Sequence, residues 1–266
     1  MKNEAFRKAV KPIADGLFGK QGTGKYQRPH FQVRPIDAML KDLAEIPPME
    51  WYRYAFSREP LNGKFNDGQR REWMEKGLAC GKEYARKVCS LYHTRDPRKL
   101  ASSLGMDVSC PEFPEHGDRV LFAEYRVRNK IRIYMDAVDK AGKLLKVPGV
   151  SEVLTNEPDI SGLLLSHELF HCVEERYKHE IFTQTEKVRL WSLGFLHNDS
   201  IVIALSEIGA MGFAQEIMGI GYSPYLMDVF LVYGYSPEEA GGLYEEMMEY
   251  AGKMPFSSPS GNGKEE

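Results

Sequence analysis

Cysteine is scarce in this chain of 266 residues, and none of the four, Cys80, Cys89, Cys110 and Cys172, stands in a CxxC pair. That spacing argues against a thiolate zinc site and suits a reducing compartment. The four are expected as small core or half-buried residues. No run of 18 apolar residues occurs, and no apolar stretch follows Met1-Lys2-Asn3-Glu4-Ala5-Phe6-Arg7-Lys8. Neither a membrane span nor a secretory signal is therefore expected, and the cytoplasm is the expected location. An excess of one charge is missing as well. A formal net charge of −3, with 42% apolar and 27% charged residues, is the balance of an ordinary globular protein and not of a nucleic-acid or membrane binder. The length permits a substantial core without covalent staples.

The first 35 residues carry Lys2, Arg7, Lys8, Lys11, Lys20, Lys25, Arg28 and Arg34 against Glu4 and Asp15, and read as a basic, poorly ordered arm. Within it Gly19-Lys20-Gln21-Gly22-Thr23-Gly24-Lys25-Tyr26 approaches a phosphate-binding loop. Tyr26 replaces the hydroxyl residue that would hold magnesium, and no strand precedes the loop, so a nucleotide site is rejected. A basic arm can touch nucleic acid, but a solvated tail is its ordinary explanation, and a nucleic-acid partner is not expected. Residues 1–60 are read as this arm plus an extension, partly disordered; 61–252 as the main domain; 253–266, rich in Ser, Gly and Pro, as a disordered tail.

A helical segment from Asp37 to Ala55 is broken by Pro47-Pro48, and Trp51, Tyr52, Tyr54 and Phe56 form an aromatic cluster expected to pack on a domain surface rather than to read a base. Apolar spacing predicts a long helix over 68–93, and Asp96-Pro97 starts a short one ending at Gly105. Strands are predicted over 106–109, 119–127 and 130–135, the last two joined by a tight turn at Asn129. A helix follows over 136–146, and everything after Glu157 reads as helix with short breaks.

That last region contains His167-Glu168-Leu169-Phe170-His171. Histidines four apart sit about 40° apart around a helix, so both imidazoles can reach one metal ion. The glutamate lies on the neighbouring edge, where it can accept a proton from a water that the metal activates. Asn156, Pro158 and Asp159 supply the helix start, and the apolar residues from Ile160 to Leu165 make the helix a buried one. Without a metal, two imidazoles and a carboxylate would lie in apolar surroundings, at about 1–3 kcal/mol for each unsatisfied group. Cys172 points about 100° away from His171 and is read as packing.

A catalytic zinc needs a third protein ligand and one open position. The residues after His171 do not continue as HxxGxxH, so the third ligand must come from another helix. Glu207 is the leading candidate, because it is a lone carboxylate in the apolar stretch from Ser200 to Ala214. Gly209, Ala210, Gly212 and Ala214 are small enough to let that helix approach closely. Glu174, Glu175 and Glu180 compete, but an acidic run of this kind reads as a solvated face. His197, in the loop expected before the Glu207 helix, can serve as a hydrogen-bond donor at the site or be simply a loop histidine. Tyr125, Tyr134 and Tyr177 are unranked candidates for an electrophilic stabiliser.

Ser166-His167-Glu168-Leu169-Phe170-His171 with Ser206-Glu207-Ile208-Gly209-Ala210-Met211-Gly212-Phe213-Ala214 resembles the ImmA/IrrE-like zinc metallopeptidase domain, marked by HExxH and a later ExxAxxFA-type helix. Asp96 to Val108 resembles that family's opening helix and first strand, and Lys130 to Met135 the strand beside its active site; the likeness spans roughly residues 90–250. It implies an α+β, zincin-like fold with a small twisted sheet and a mainly helical C-terminal half. It further implies Zn2+ held by His167, His171 and Glu207, with Glu168 as general base. The expected activity is a zinc-dependent endopeptidase acting on a protein or peptide, a transcriptional repressor being the kind of substrate the family suggests. The chain has no recognisable DNA-binding helix-turn-helix, and the segment between His171 and Glu207 departs from the family pattern. The rival reading is a non-catalytic regulatory or binding module on a zincin scaffold, with a structural metal.

Overall fold

The structure, a computed structural model, describes residues 33–114, 120–126, 129–155, 158–193 and 196–253. The phosphate-loop-like stretch, nearly all of the basic arm, Asn156 and the tail after Lys253 lie outside them. The described chain opens with α1 (Ile36–Ala44), a 3-10 turn at Pro48–Trp51 and α2 (Tyr52–Ser57). Ile36, Met39, Leu40 and Leu43 recur at helical spacing and are buried, which is why α1 forms and which face it hides. The aromatic cluster that follows is buried, not superficial. Trp51 stacks on Tyr225 with ring centroids 5.6 Å apart, and Phe56, Phe65 and Trp73 pack together. Residues 36–60 thus enter the same core as residues beyond 61, because their apolar area is too large to leave in water.

The long helix is α3 (Asp67–Tyr92), capped by the Asn66 side chain, which accepts from the Gln69 N–H at 2.9 Å. It ends at His93 in a left-handed conformation, and α4 (Pro97–Ser103) starts from the Asp96 cap. Strands β1 (Asp107–Ser109), β2 (Ala123–Arg126) and β3 (Lys130–Ile133) form a sheet in the order β1-β3-β2. β1 runs parallel to β3 and β2 antiparallel to it, with Val108 and Tyr125 both opposite Ile131. Asn129, at φ 58°, occupies the turn before β3. Next come α5 (Met135–Leu144), α6 (Val150–Val153), α7 (Ile160–Arg176) and α8 (Phe182–Thr185).

The expectation of helix throughout the remainder fails at residues 187–193 and 196–201. There β4 (Lys187–Leu193) and β5 (Leu196–Ile201) form an antiparallel hairpin with an irregularity between Arg189 and Trp191. Val188 and Leu190 alternate inward against outward Lys187 and Arg189, a period of two that lasts only four residues before exposed Trp191 and Leu193 interrupt it. The chain continues as α9 (Ile203–Met218), α10 (Leu226–Tyr233) and α11 (Pro237–Tyr250). The result is an α+β fold, mainly helical, with two small sheets. Among the described residues no helix is long and apolar enough to cross a membrane.

Glycine sets the approach of the helices that carry the histidines and Glu207. A Cβ on Gly81 of α3 would lie 2.0 Å from the Gly209 carbonyl oxygen of α9, and one on Gly209 would lie 2.4 Å from the Phe170 ring of α7. Gly212 faces the other way, toward the Leu78 carbonyl of α3. The small residues of α9 therefore serve two neighbours, the HExxH helix and α3.

Candidate metal centre

Helix α7 is fixed at its start by Asp159, whose carboxylate accepts from the Gly162 N–H at 2.8 Å and is itself gripped by Arg98 at 2.6 Å. Buried Ser166 donates to the Gly162 carbonyl at 2.8 Å, so its hydroxyl is satisfied within the helix. On the neighbouring face, His167 and His171, one turn apart, bring their ring centroids to 5.3 Å. Helix α9 is fixed by a residue the sequence reading missed. Glu59, buried and contributed by the segment after α2, accepts from the Ala204 N–H at 2.9 Å and from the Leu61 N–H at 3.0 Å. A carboxylate at the first turn complements the helix dipole. Glu207 then follows one turn inside α9.

The structure brings the three predicted ligands together. His167 Nε2 lies 3.3 Å from Glu207 Oε2 and His171 Nε2 lies 3.8 Å from Glu207 Oε1, and one donor atom from each of the three falls within 4.8 Å of the others. Donors about 2.0–2.2 Å from a tetrahedral zinc stand roughly 3.3 Å apart, so the set has the right chemistry and close to the right spacing. The site is not sealed: the side chains of His167, His171 and Glu207 keep 20%, 17% and 32% of their exposure.

Glu168 is 9% exposed, and burial raises its carboxyl above the usual range while the two imidazoles and the Tyr125 backbone N–H oppose that rise. Burial also works against the charge on Glu207, but the His167 hydrogen bond and both imidazoles outweigh it and hold the carboxyl down at about 2. For His171, burial is overcome by the carboxylates of Glu174, Glu207 and Glu168, which lift it to about 9.

Glu174 is a correction to the solvated-face reading. It is 5% exposed; its Oε1 accepts from Thr183 at 2.5 Å and its Oε2 from Ser206 at 2.7 Å. The Ser206 oxygen lies 3.2 Å from His171 Nδ1, whereas Glu174 Oε2 is 3.9 Å from that nitrogen, too far for a direct hydrogen bond. Glu175 and Glu180 are exposed, as an acidic face would be. The available signal was spacing: Glu174 is seven residues from His167 and so returns to the same side of the helix.

A second group the sequence did not reveal gathers around Asp228 of α10. Tyr54 donates to its carboxylate at 2.8 Å, and Arg58 lies over the Tyr54 ring. Burial pushes Asp228 up to about 6, against the hydrogen bond from Tyr54 and the charges of Arg58 and His167, with Glu207 reinforcing the rise. Asp228 is thus close enough to feel two of the three predicted ligands. The Tyr225 hydroxyl beside this group is buried without a hydrogen-bond partner among the described residues.

His197 is in strand β5, not in a loop, with its ring exposed and Nε2 3.4 Å from Asp199. Tyr134 is tied to Glu124 by its hydroxyl, and Tyr177 packs on Tyr84 with Lys87 over its ring. Tyr125 is half-buried on β2 and contributes its backbone N–H to Glu168. All four cysteines are free; Cys80 and Cys172 are buried, Cys89 is half-buried and Cys110 is exposed. Comparison of the chain with protein-family models, curated proteins and solved structures found no match.

Proposed function

We propose that the chain is a zinc-dependent endopeptidase with a zincin-like domain, related in its site to the ImmA/IrrE-like metallopeptidases and acting on a protein or peptide such as a transcriptional repressor. The observation that carries this reading is the convergence of His167, His171 and Glu207 from two helices, with Glu168 on the adjoining edge of one of them. Two imidazole nitrogens and one carboxylate oxygen are the donors that a catalytic zinc site uses. Bound there, Zn2+ would supply a Lewis acid and lower the pKa of its water toward about 7.

The remaining work belongs to the chain itself. Glu168 sits within the field of both imidazoles and its burial favours holding a proton, which suits a group that takes one from the attacking water and returns it to the departing amine. Glu207 stays ionised far below neutrality, so it meets a cation without first losing a proton. The partial exposure of all three ligand side chains supports a catalytic rather than a structural metal, because structural sites close all four positions with protein.

The test joins metal analysis to a cleavage screen. Purified protein should hold about one zinc per chain and cut peptides or a repressor encoded by a neighbouring gene, and Glu168→Gln should keep the zinc and lose the cutting. Zinc-loaded protein that cleaves nothing would favour the non-catalytic module.

A further inference from the structure

We infer that Ser206 and Glu174 are positioning residues for the candidate metal centre, acting as a relay that keeps a proton on His171 Nδ1 and so makes Nε2 the nitrogen that ligates. The inference rests on the metal reading above but concerns the protein's own hydrogen bonds. Ser206 has one proton to give. Its oxygen stands 2.7 Å from Glu174 Oε2 and 3.2 Å from His171 Nδ1. A buried carboxylate only accepts, so the hydroxyl donates to Glu174, and what remains for His171 is the Ser206 lone pair. His171 Nδ1 must then carry the proton, and its other nitrogen points to the Glu207 carboxylate at 3.8 Å. Thr183 closes the network by donating to the second Glu174 oxygen at 2.5 Å, which keeps that carboxylate from turning away.

The relay joins three elements: Glu174 lies on the histidine helix, Thr183 on the short helix after it, and Ser206 next to Glu207 on α9. It holds the two ligand-bearing helices in register before any ion arrives. His171 is hydrogen-bonded to the hydroxyl, and the carboxylate 3.9 Å away adds only its charge, so removing either end should loosen the ring and weaken it as a ligand.

The experiment uses the full-length chain as wild type, Ser206→Ala, Ser206→Thr, Glu174→Gln and the Ser206→Ala/Glu174→Gln double variant. Zn2+ affinity is measured by competition with a chromogenic chelator, and solvent exchange of the His171 Nδ1 proton by NMR on metal-free protein. Ser206→Ala and Glu174→Gln should each weaken Zn2+ binding about 10- to 100-fold. The double variant should lose little more than the worse single one, because both act through one chain of bonds. Ser206→Thr keeps the hydroxyl and should restore most of the affinity. In Ser206→Ala the Nδ1 proton should exchange much faster than in wild type. Affinity within about twofold of wild type together with unchanged exchange would overturn the relay. Wild type that binds no Zn2+, yet shows slow Nδ1 exchange abolished by Ser206→Ala, would sink the metal reading and leave the hydrogen-bond relay standing. Thermal unfolding of each variant shows whether a loss reflects misfolding, and a Ser206→Thr variant that folds like wild type but binds Zn2+ as poorly as Ser206→Ala counts against the relay.

Discussion

Glu168 and Glu207 carry the same functional group a short distance apart, and their surroundings drive them in opposite directions. Burial dominates at Glu168 and raises its carboxyl; at Glu207 the facing imidazoles win over burial and hold it at about 2. The two should therefore fail differently. Glu168→Gln should leave zinc content unchanged while lowering kcat by about 10²–10⁴-fold, the usual contribution of a positioned general base. Glu207→Ala should lose zinc during dialysis, since two imidazoles alone are an incomplete set. Metal analysis beside turnover separates the outcomes, and a zinc-replete Glu207→Ala protein would remove Glu207 from the ligand set. His167 and His171 were legible because a spacing of four fixes their relative direction on any helix. Glu207 was legible because a lone carboxylate in an apolar helix needs a reason to be there. Ser206 was not, since nothing local distinguishes a serine that bridges two helices from one that faces water.

At the scale of elements, the site depends on how nearly α9 can approach α3 and α7. Gly81→Ala would drive a methyl group into the Gly209 carbonyl, a contact between two backbones that no rotamer change can relieve. Overpacking of this kind costs about 1–3 kcal/mol or more, and here it should also displace Glu207 from the histidines. Gly142→Ala is the matched control. Gly142 lies inside α5, and a Cβ there meets nothing within 4 Å, so helix propensity should make that change neutral or stabilising by up to about 1 kcal/mol. The denaturant midpoint should fall for Gly81→Ala and stay level or rise for Gly142→Ala; a harmless Gly81→Ala would mean the helices are not in contact at this point. Periodicity made α1, α3, α5 and α7 readable. It did not reveal that small residues on α9 face two partners, nor that residues 187–193 and 196–201 pair as a hairpin. Pairing Lys187 with Ile201 is a non-local choice, and the exposed apolar residues Trp191, Leu193 and Leu196 mimic the composition of a buried helix.

For the molecule as a whole, the early segment and the candidate metal centre meet at Asp228, and pH should report that junction. Its folded carboxyl titrates near 6, against 3.8 as the ordinary value, so the folded protein binds a proton that the unfolded chain has already released. The stabilising contribution of that proton is complete below about pH 4 and disappears as pH rises through about 6; above this, folding leaves a charge in poorly hydrated surroundings. The groups facing Asp228 are Tyr54, Arg58, His167 and Glu207. Asp228→Asn keeps an acceptor for the Tyr54 hydroxyl and removes the charge. Relative to wild type, its Tm should therefore be equal or lower at pH 4 and higher at pH 7.5. Two pH units set a ceiling of about 3 kcal/mol, reduced by the solvent that still reaches this half-buried side chain, which corresponds to a gap of about 5 °C in a chain of this size. A zinc ion held by His167, His171 and Glu207 would add a dication among Asp228's neighbours and favour the ionised carboxylate, so the gap at pH 7.5 should shrink on zinc loading. Thermal unfolding of both proteins at pH 4, 5.5 and 7.5 with chelator, and at pH 7.5 with zinc, checks each step. A difference that stays flat with pH would show that Asp228 is already ionised at little cost; one that varies with pH but ignores zinc would show that the ion does not reach this side of the site.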